Sequence, residues 1–157
     1  MEFKYEGQKY TIERYPSSNH KSLKAWSSVD EYFLNYLKEK HISFKNPIIY
    51  NDRFGFLTTI LAQYNPNIII NFKSQEKALC MNLKNHAVKP DSIIKSSPLQ
   101  KLEACYDLAL IKIPKSIELF RLQLNQLQQA INKNTIVICG FMTKYFSPQM
   151  LSVANDY

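Results

Sequence analysis

The segment Tyr106-Asp-Leu-Ala-Leu-Ile-Lys-Ile-Pro-Lys115 limits this chain more than any other. Leu108 to Ile113 is nearly all apolar, too short for a core helix, and stopped by a proline. That is the pattern of a strand buried on both faces of a parallel sheet. Proline has no N–H to give to a ladder, so the strand is expected to end at Pro114. Ser116 then opens a helical pattern, which makes a strand, a tight turn and a crossover helix. Ligands of open α/β sheets lie beyond the carboxyl ends of such strands, so Lys112, Pro114 and Lys115 sit where chemistry would be placed.

Shorter runs repeat the pattern. Ile48-Ile49-Tyr50, Ile68-Ile69-Ile70, a weaker Ile93-Ile94 and Thr135-Ile-Val-Ile-Cys139, closed by Gly140, complete five strands. Between them lie helical stretches. Ser28 with Glu31 predicts a capping box, and Val29, Tyr32, Phe33, Tyr36 and Leu37 then share one face. Trp26, just ahead, reads as a packing anchor more than as a platform for a ligand. Phe56 to Tyr64 is helical through Leu57, Ile60 and Leu61. Ser74 is expected to cap a helix to about Asn85, with Ala78, Leu79 and Leu83 inward. Ser116 to about Asn132 carries Ile117, Phe120, Leu124, Leu127 and Ile131 at helical spacing, and Ser147-Pro148 starts a last helix that runs to the end of the chain.

Phe3–Tyr5 and Tyr10–Ile12 flank Glu6-Gly7 as a small hairpin, followed by a polar loop over Pro16–Ser22. Strands alternating with helices predict an α/β fold with a doubly wound, mostly parallel sheet. Residues 1–22 form the hairpin and loop, residues 23–157 the α/β core of a single domain.

Hydrophobic residues make up 45% of the 157, which excludes a disordered chain. Twenty Lys and Arg against thirteen Asp and Glu leave a charge of +7. Such an excess fits a polyanionic partner, nucleic acid first, or simply a lysine-rich proteome. Cys80, Cys105 and Cys139 are odd in number and form no CxxC pair, so they read as reduced, mostly buried thiols of a cytosolic protein. The start of the chain has no apolar signal region, and no apolar run approaches the ~18 residues of a membrane span. A cytoplasmic chain with no membrane partner and no metal is expected.

Two contacts of a dinucleotide-type site are missing. The turn after the first sheet strand holds Asn51-Asp-Arg-Phe-Gly55, with one glycine where a glycine-rich loop would let backbone approach a ligand. Arg53 and Phe54 are expected to crowd that approach. The second strand runs into Asn71-Phe72-Lys73, with no carboxylate for ribose hydroxyls until Glu76. His20, His41 and His86 fall in loops or helix ends without a nucleophile at motif spacing, so each reads as plain surface.

Three stretches in order resemble a known family: Leu23-Lys-Ala-Trp-Ser-Ser-Val-Asp-Glu-Tyr32, Tyr50-Asn-Asp-Arg-Phe-Gly55 and Leu110-Ile-Lys-Ile-Pro-Lys115. They are similar to the N-terminal half of two-domain bacterial ribosomal RNA guanine-N2 methyltransferases, the large-subunit RlmG type more than the small-subunit RsmC type. The resemblance runs from about Tyr10 to Val153. It implies a Rossmann-like S-adenosylmethionine-dependent methyltransferase fold, degenerate, truncated after the fifth strand and so cut from a longer two-domain protein. It also implies that S-adenosylmethionine binds in the parent's C-terminal catalytic domain, and that this copy recognises ribosomal RNA and supports that partner. Against the motif Asp-x-x-x-x-Asn-Pro-Pro-Phe/Tyr, the chain keeps Asp107 and Pro114 but has Lys112 for the asparagine, Ile113 for the first proline and Lys115 for the aromatic. Lysine offers only donors and a positive charge, so no catalytic and no cofactor-binding residue is expected here.

The expected function is therefore a non-catalytic, RNA-engaging domain. The alternatives are a purely structural partner domain, and an active methyltransferase with an unusual cofactor loop. Arg53, Lys73, Lys112 and Lys115 follow the first, second and fourth strands, so they are expected to cluster as a phosphate-binding rim, partly neutralised by Asp52 and Glu76. Solvated loop cations are the plainer alternative. The fifth strand, bare on one side, is expected to make the fragment self-associate at high concentration.

Overall fold

The computed structural model describes residues 1–20 and 22–157. Strands β1 (Glu2–Tyr5) and β2 (Gln8–Thr11) form the expected hairpin, with Glu6 and Gly7 both at positive φ in its turn. The core then runs α1 (Ser28–Glu39), β3 (Pro47–Tyr50), α2 (Phe56–Ile60), β4 (Asn67–Ile69), α3 (Lys73–Asn85) and β5 (Ile94–Ser96). It continues through β6 (Leu108–Lys112), α4 (Ile117–Gln128), β7 (Ile136–Gly140) and α5 (Pro148–Asn155). The five core strands are parallel, in the order β5-β4-β3-β6-β7, so the sheet starts in the middle and winds outward both ways. That is the doubly wound arrangement.

Alternation along the central strands assigns the helices to faces. Ile49, Leu108 and Leu110 meet Val29, Phe33 and Leu37 of α1 and Phe56 and Leu57 of α2 on one side. Ile48, Tyr50, Ala109 and Ile111 meet Phe120, Leu124 and Leu127 of α4 and Val153 of α5 on the other. With both faces covered, β3 and, as far as Ile111, β6 can be apolar throughout.

Several local details differ from expectation. The capping pair of α1 is Ser27 with Asp30: the Asp30 Oδ2 accepts from the Ser27 N–H at 2.7 Å and from its hydroxyl at 2.8 Å. Adjacent serines and adjacent acids give two overlapping capping patterns, and the inner face of α1 selects the earlier one. Tyr32 consequently points out, 61% exposed, while Leu34 is buried. Trp26 packs as expected, stacked on Phe56 with ring centroids 5.0 Å apart, and its indole N–H donates to Glu31 at 2.6 Å. Helix α3 begins at Lys73 after Phe72, so Ser74 lies inside the helix and is not its cap. The last helix ends at Asn155 and does not continue to Tyr157.

The thiols are less buried than expected: Cys105 is exposed and Cys80 and Cys139 half-buried, all free. Burial still pushes the Cys139 thiol up to about 11. His86 is more than plain surface. Its Nδ1 donates to the Asn82 carbonyl, its Nε2 accepts from the Thr11 N–H, and its ring stacks on Tyr10. Asn82, fully buried, bonds the backbone of Glu13 in both directions and the carbonyl of Phe54. These two side chains moor the hairpin to α3.

Among the described residues, no helix is long and apolar enough to cross a membrane, and no cluster of His, Cys, Asp or Glu could hold a metal.

Candidate functional site

Parallel strands leave their carboxyl ends along one edge of the sheet, and the turns that follow β3, β4, β6 and β7 enclose a cavity there of about 730 Å³. Its base is made of amides. Asn51, the first residue after β3, takes the left-handed conformation at φ 62°. Its Nδ2 donates to the Lys112 carbonyl at 2.8 Å and to Gln123 at 2.9 Å, and its Oδ1 accepts from Gln123 at 2.9 Å and from Asn71 at 3.1 Å. Gln75 continues the network, accepting from the Asn71 N–H and donating to the carbonyls of Asp52 and Ile69. The ends of β3, β4 and β6 are thus laced to each other by neutral side chains. Asn71 stands at the end of β4, and its Oδ1 is buried without a partner.

The loop after β3 keeps its one glycine for packing. Gly55 has φ +77°, and a Cβ there would lie 2.7 Å from Leu79 Cδ1 and 3.0 Å from its Cα. Only glycine allows α3 to approach the loop this closely. Phe54 does not crowd the crevice as expected. It turns into the core, 7% exposed, under the guanidinium groups of Arg14 and Arg53.

The four candidate cations do not form one cluster. Arg53, Lys112 and Lys115 line the cavity, whereas Lys73 does not and pairs with Glu76 on the outside of α3. That partner holds the Glu76 carboxyl below its usual range. Lys112 is also engaged. Its ammonium lies 2.7 Å and 2.9 Å from the two oxygens of Asp30, a carboxylate with no exposed surface. Asp52 does not neutralise a cation at the rim, for it is buried beneath the loop and accepts from the Thr58 N–H and hydroxyl, each at 2.8 Å. Burial, with Asp30 close by, raises its pKa against the opposing pull of Lys112 and Thr58. Arg53 and Lys115 remain exposed at the rim.

Sequence reasoning missed Asp30 as the partner of Lys112, because 82 positions separate them. It also missed two rings at the cavity wall. Phe72 is 65% exposed, and Tyr145 is 42% exposed with the Lys115 ammonium 4.4 Å from its ring centroid. Asp107 lies at the opposite end of β6 from the cavity. Its carboxylate accepts from the N–H groups of Lys45 at 2.7 Å and Asn46 at 2.9 Å, stapling the entry to β3.

The family described as the RLMG N-terminal domain matches residues 1–157. Similar proteins include the ribosomal RNA large subunit methyltransferase G of Shewanella sediminis, 29% identical over 97% of this chain and 38% of the relative. That of Pseudoalteromonas atlantica is 35% identical over 83% of this chain and 35% of the relative. The chain therefore spans little more than a third of the length of these relatives. Among solved structures, a ribosomal protein L11 methylase from Lactobacillus delbrueckii subsp. bulgaricus superposes with a TM-score of 0.66, at 13% identity over 82% of this chain and 67% of that one. The N-methyltransferase NodS from Bradyrhizobium japonicum gives 0.61, at 10% identity over 80% and 78%. The fold is that of Rossmann-like S-adenosylmethionine-dependent methyltransferases, preceded by a small hairpin.

Proposed function

Because the chain belongs to the RLMG N-terminal domain family, we propose that it is a non-catalytic domain of a cytoplasmic ribosomal RNA (guanine-N2) methyltransferase. It engages the RNA and supports the catalytic domain of the longer protein, where S-adenosylmethionine binds. The carrying observation is the amide-laced end of the sheet, with Lys112 and Asp30 paired beside it.

S-adenosylmethionine does not fit these residues. The Asn51 side chain is committed across the loop to β6 and α4. Asn71 stands where ribose hydroxyls need a carboxylate. The exposed charges at the rim, Arg53 and Lys115, repel the cofactor's sulfonium. Lys112, at the place of the motif's asparagine, can accept nothing from a target amine.

Phosphates suit the same rim, where among the described residues Arg53 and Lys115 have no carboxylate partner. Two measurements on the chain test this reading. Titration calorimetry at millimolar S-adenosylmethionine is expected to show no heat, and filter binding is expected to show weak, salt-dependent retention of a ribosomal RNA fragment. A micromolar dissociation constant for the cofactor overturns it in favour of an active methyltransferase. Absence of RNA binding favours a structural partner domain, a reading supported by the engagement of Lys73 and Lys112 with carboxylates.

A further inference from the structure

Two rings at the cavity wall are exposed. Phe72, at the start of α3, is 65% exposed, and Tyr145, in the turn after β7, is 42% exposed. Both line the cavity. They follow β4 and β7, which have β3 and β6 between them in the sheet. Three strand spacings, roughly 14 Å, therefore separate their points of attachment. The rings thus come to the cavity from turns that follow different, non-adjacent strands.

Charge is arranged around them accordingly. The ammonium groups of Lys115 and Lys144 lie over the Tyr145 ring, 4.4 Å and 4.9 Å from its centroid, so a base reaches that ring as phosphates draw these side chains aside. Arg53 also lines the cavity, following β3. Among the described residues these three cations have no carboxylate partner, and no Asp or Glu lines the cavity. A volume of about 730 Å³ is within the range of about 300–1,000 Å³ usual for small-ligand sites. The bases of a duplex are stacked on each other and cannot reach such a wall, whereas unpaired bases present a free face to an aromatic ring.

We propose that this crevice binds an unpaired stretch of RNA, with one base stacked on Phe72, another on Tyr145, and the intervening phosphates against Arg53, Lys115 and Lys144. The inference rests on the RNA-engaging reading above and adds to it the strandedness of the RNA and the residues that sense it. Stacking is tolerant of base identity, so the contact selects for unpaired structure and not for sequence.

The test uses the whole chain and a single-stranded RNA dodecamer carrying 2-aminopurine, beside the same RNA as a duplex and free AMP. Binding is expected to change the 2-aminopurine fluorescence, to favour the single strand over the duplex, and to exceed that of AMP. Phe72→Ala and Tyr145→Ala are each expected to weaken single-strand binding about 5- to 100-fold, leaving duplex binding unchanged, and Tyr145→Phe is expected to restore it. Thermal unfolding checks the variants, and Phe72→Ala alone decides if Tyr145→Ala does not fold, because Phe72 is mostly in solvent. Equal binding of single strand and duplex, with both folded variants unaffected, overturns this inference and leaves the RNA-engaging reading standing. So does binding of AMP as tight as that of the dodecamer. No binding of either RNA overturns both.

Discussion

Lys112 and Asp30 form a bidentate ion pair between the end of β6 and the first turn of α1, with the carboxylate sealed from solvent and the lysine 23% exposed. Asp30 also holds the start of α1 through Ser27. One carboxylate therefore fixes a helix and neutralises the cation at the end of β6.

Lys112→Ala leaves that carboxylate buried and unpaired. A loss of about 3 kcal/mol in urea unfolding is expected, the low end for a broken buried pair because Lys112 keeps some contact with water. Asp30→Asn is expected to lose a similar amount. The double variant should lose clearly less than the sum, since neither charge is then stranded. Strict additivity would mean that the pair contributes nothing.

Arg53→Ala and Lys115→Ala leave the fold intact, since both side chains are exposed. If they touch phosphate, each lowers the slope of log affinity against log salt by about 0.7 to 0.9. Lys73→Ala, whose charge Glu76 already meets, is expected to change the slope less. Filter binding of a ribosomal RNA fragment at several salt concentrations makes the comparison. Equal slopes for all three variants and the parent chain would move the RNA surface elsewhere.

Asp52 makes stability depend on pH with an unusual sign. Its pKa in the folded chain is raised, chiefly by burial and then by Asp30. The folded protein therefore keeps a proton that the unfolded chain releases, and the Asp52 contribution is lost as pH rises from the ordinary carboxylate range through the raised value. Urea midpoints of the parent chain and Asp52→Asn, measured side by side across that window, are expected to converge as pH falls. The variant should gain on the parent as pH rises. A difference that does not vary with pH would show that Asp52 titrates alike in both states.

Among the described residues, strand β7 pairs only with β6, and Ile136 and Val137 on it are 39% and 40% exposed. An open, apolar edge recruits other strands. We expect the chain to self-associate at high concentration in light scattering, and Val137→Lys to keep it monomeric. A parent chain that stays monomeric throughout would show that the edge is already protected.

The sheet was legible because each central strand is buried on both sides. Ile48-Ile49-Tyr50 and Leu108 to Ile111 carry that burial as unbroken apolar runs, and Pro114 marks the stop. What touches what at the strand ends was not legible. Ser27-Ser28 and Asp30-Glu31 offer two capping registers, and only the packing of Leu34 in place of Tyr32 chooses between them. Three of the four cations that follow strands, Arg53, Lys112 and Lys115, do meet at one cavity. Sequence order alone does not tell Lys115, beside the Tyr145 ring, from Lys112, which Asp30 claims from a distant helix. The direction of Phe54 is a matter of loop geometry, and the loop Asn51-Asp-Arg-Phe-Gly55 does not encode it in any simple period.

Asp107 staples the entry of β3 from one tip of β6, while the residues from Ile113 onward sit beyond the other tip, at the crevice. Anchorage and crevice thus lie at the two ends of one strand, about 16 Å of backbone apart. A lineage can rewrite the far tip without loosening the near one. A strand pinned at one tip in this way leaves its other tip free to vary with whatever the crevice must meet.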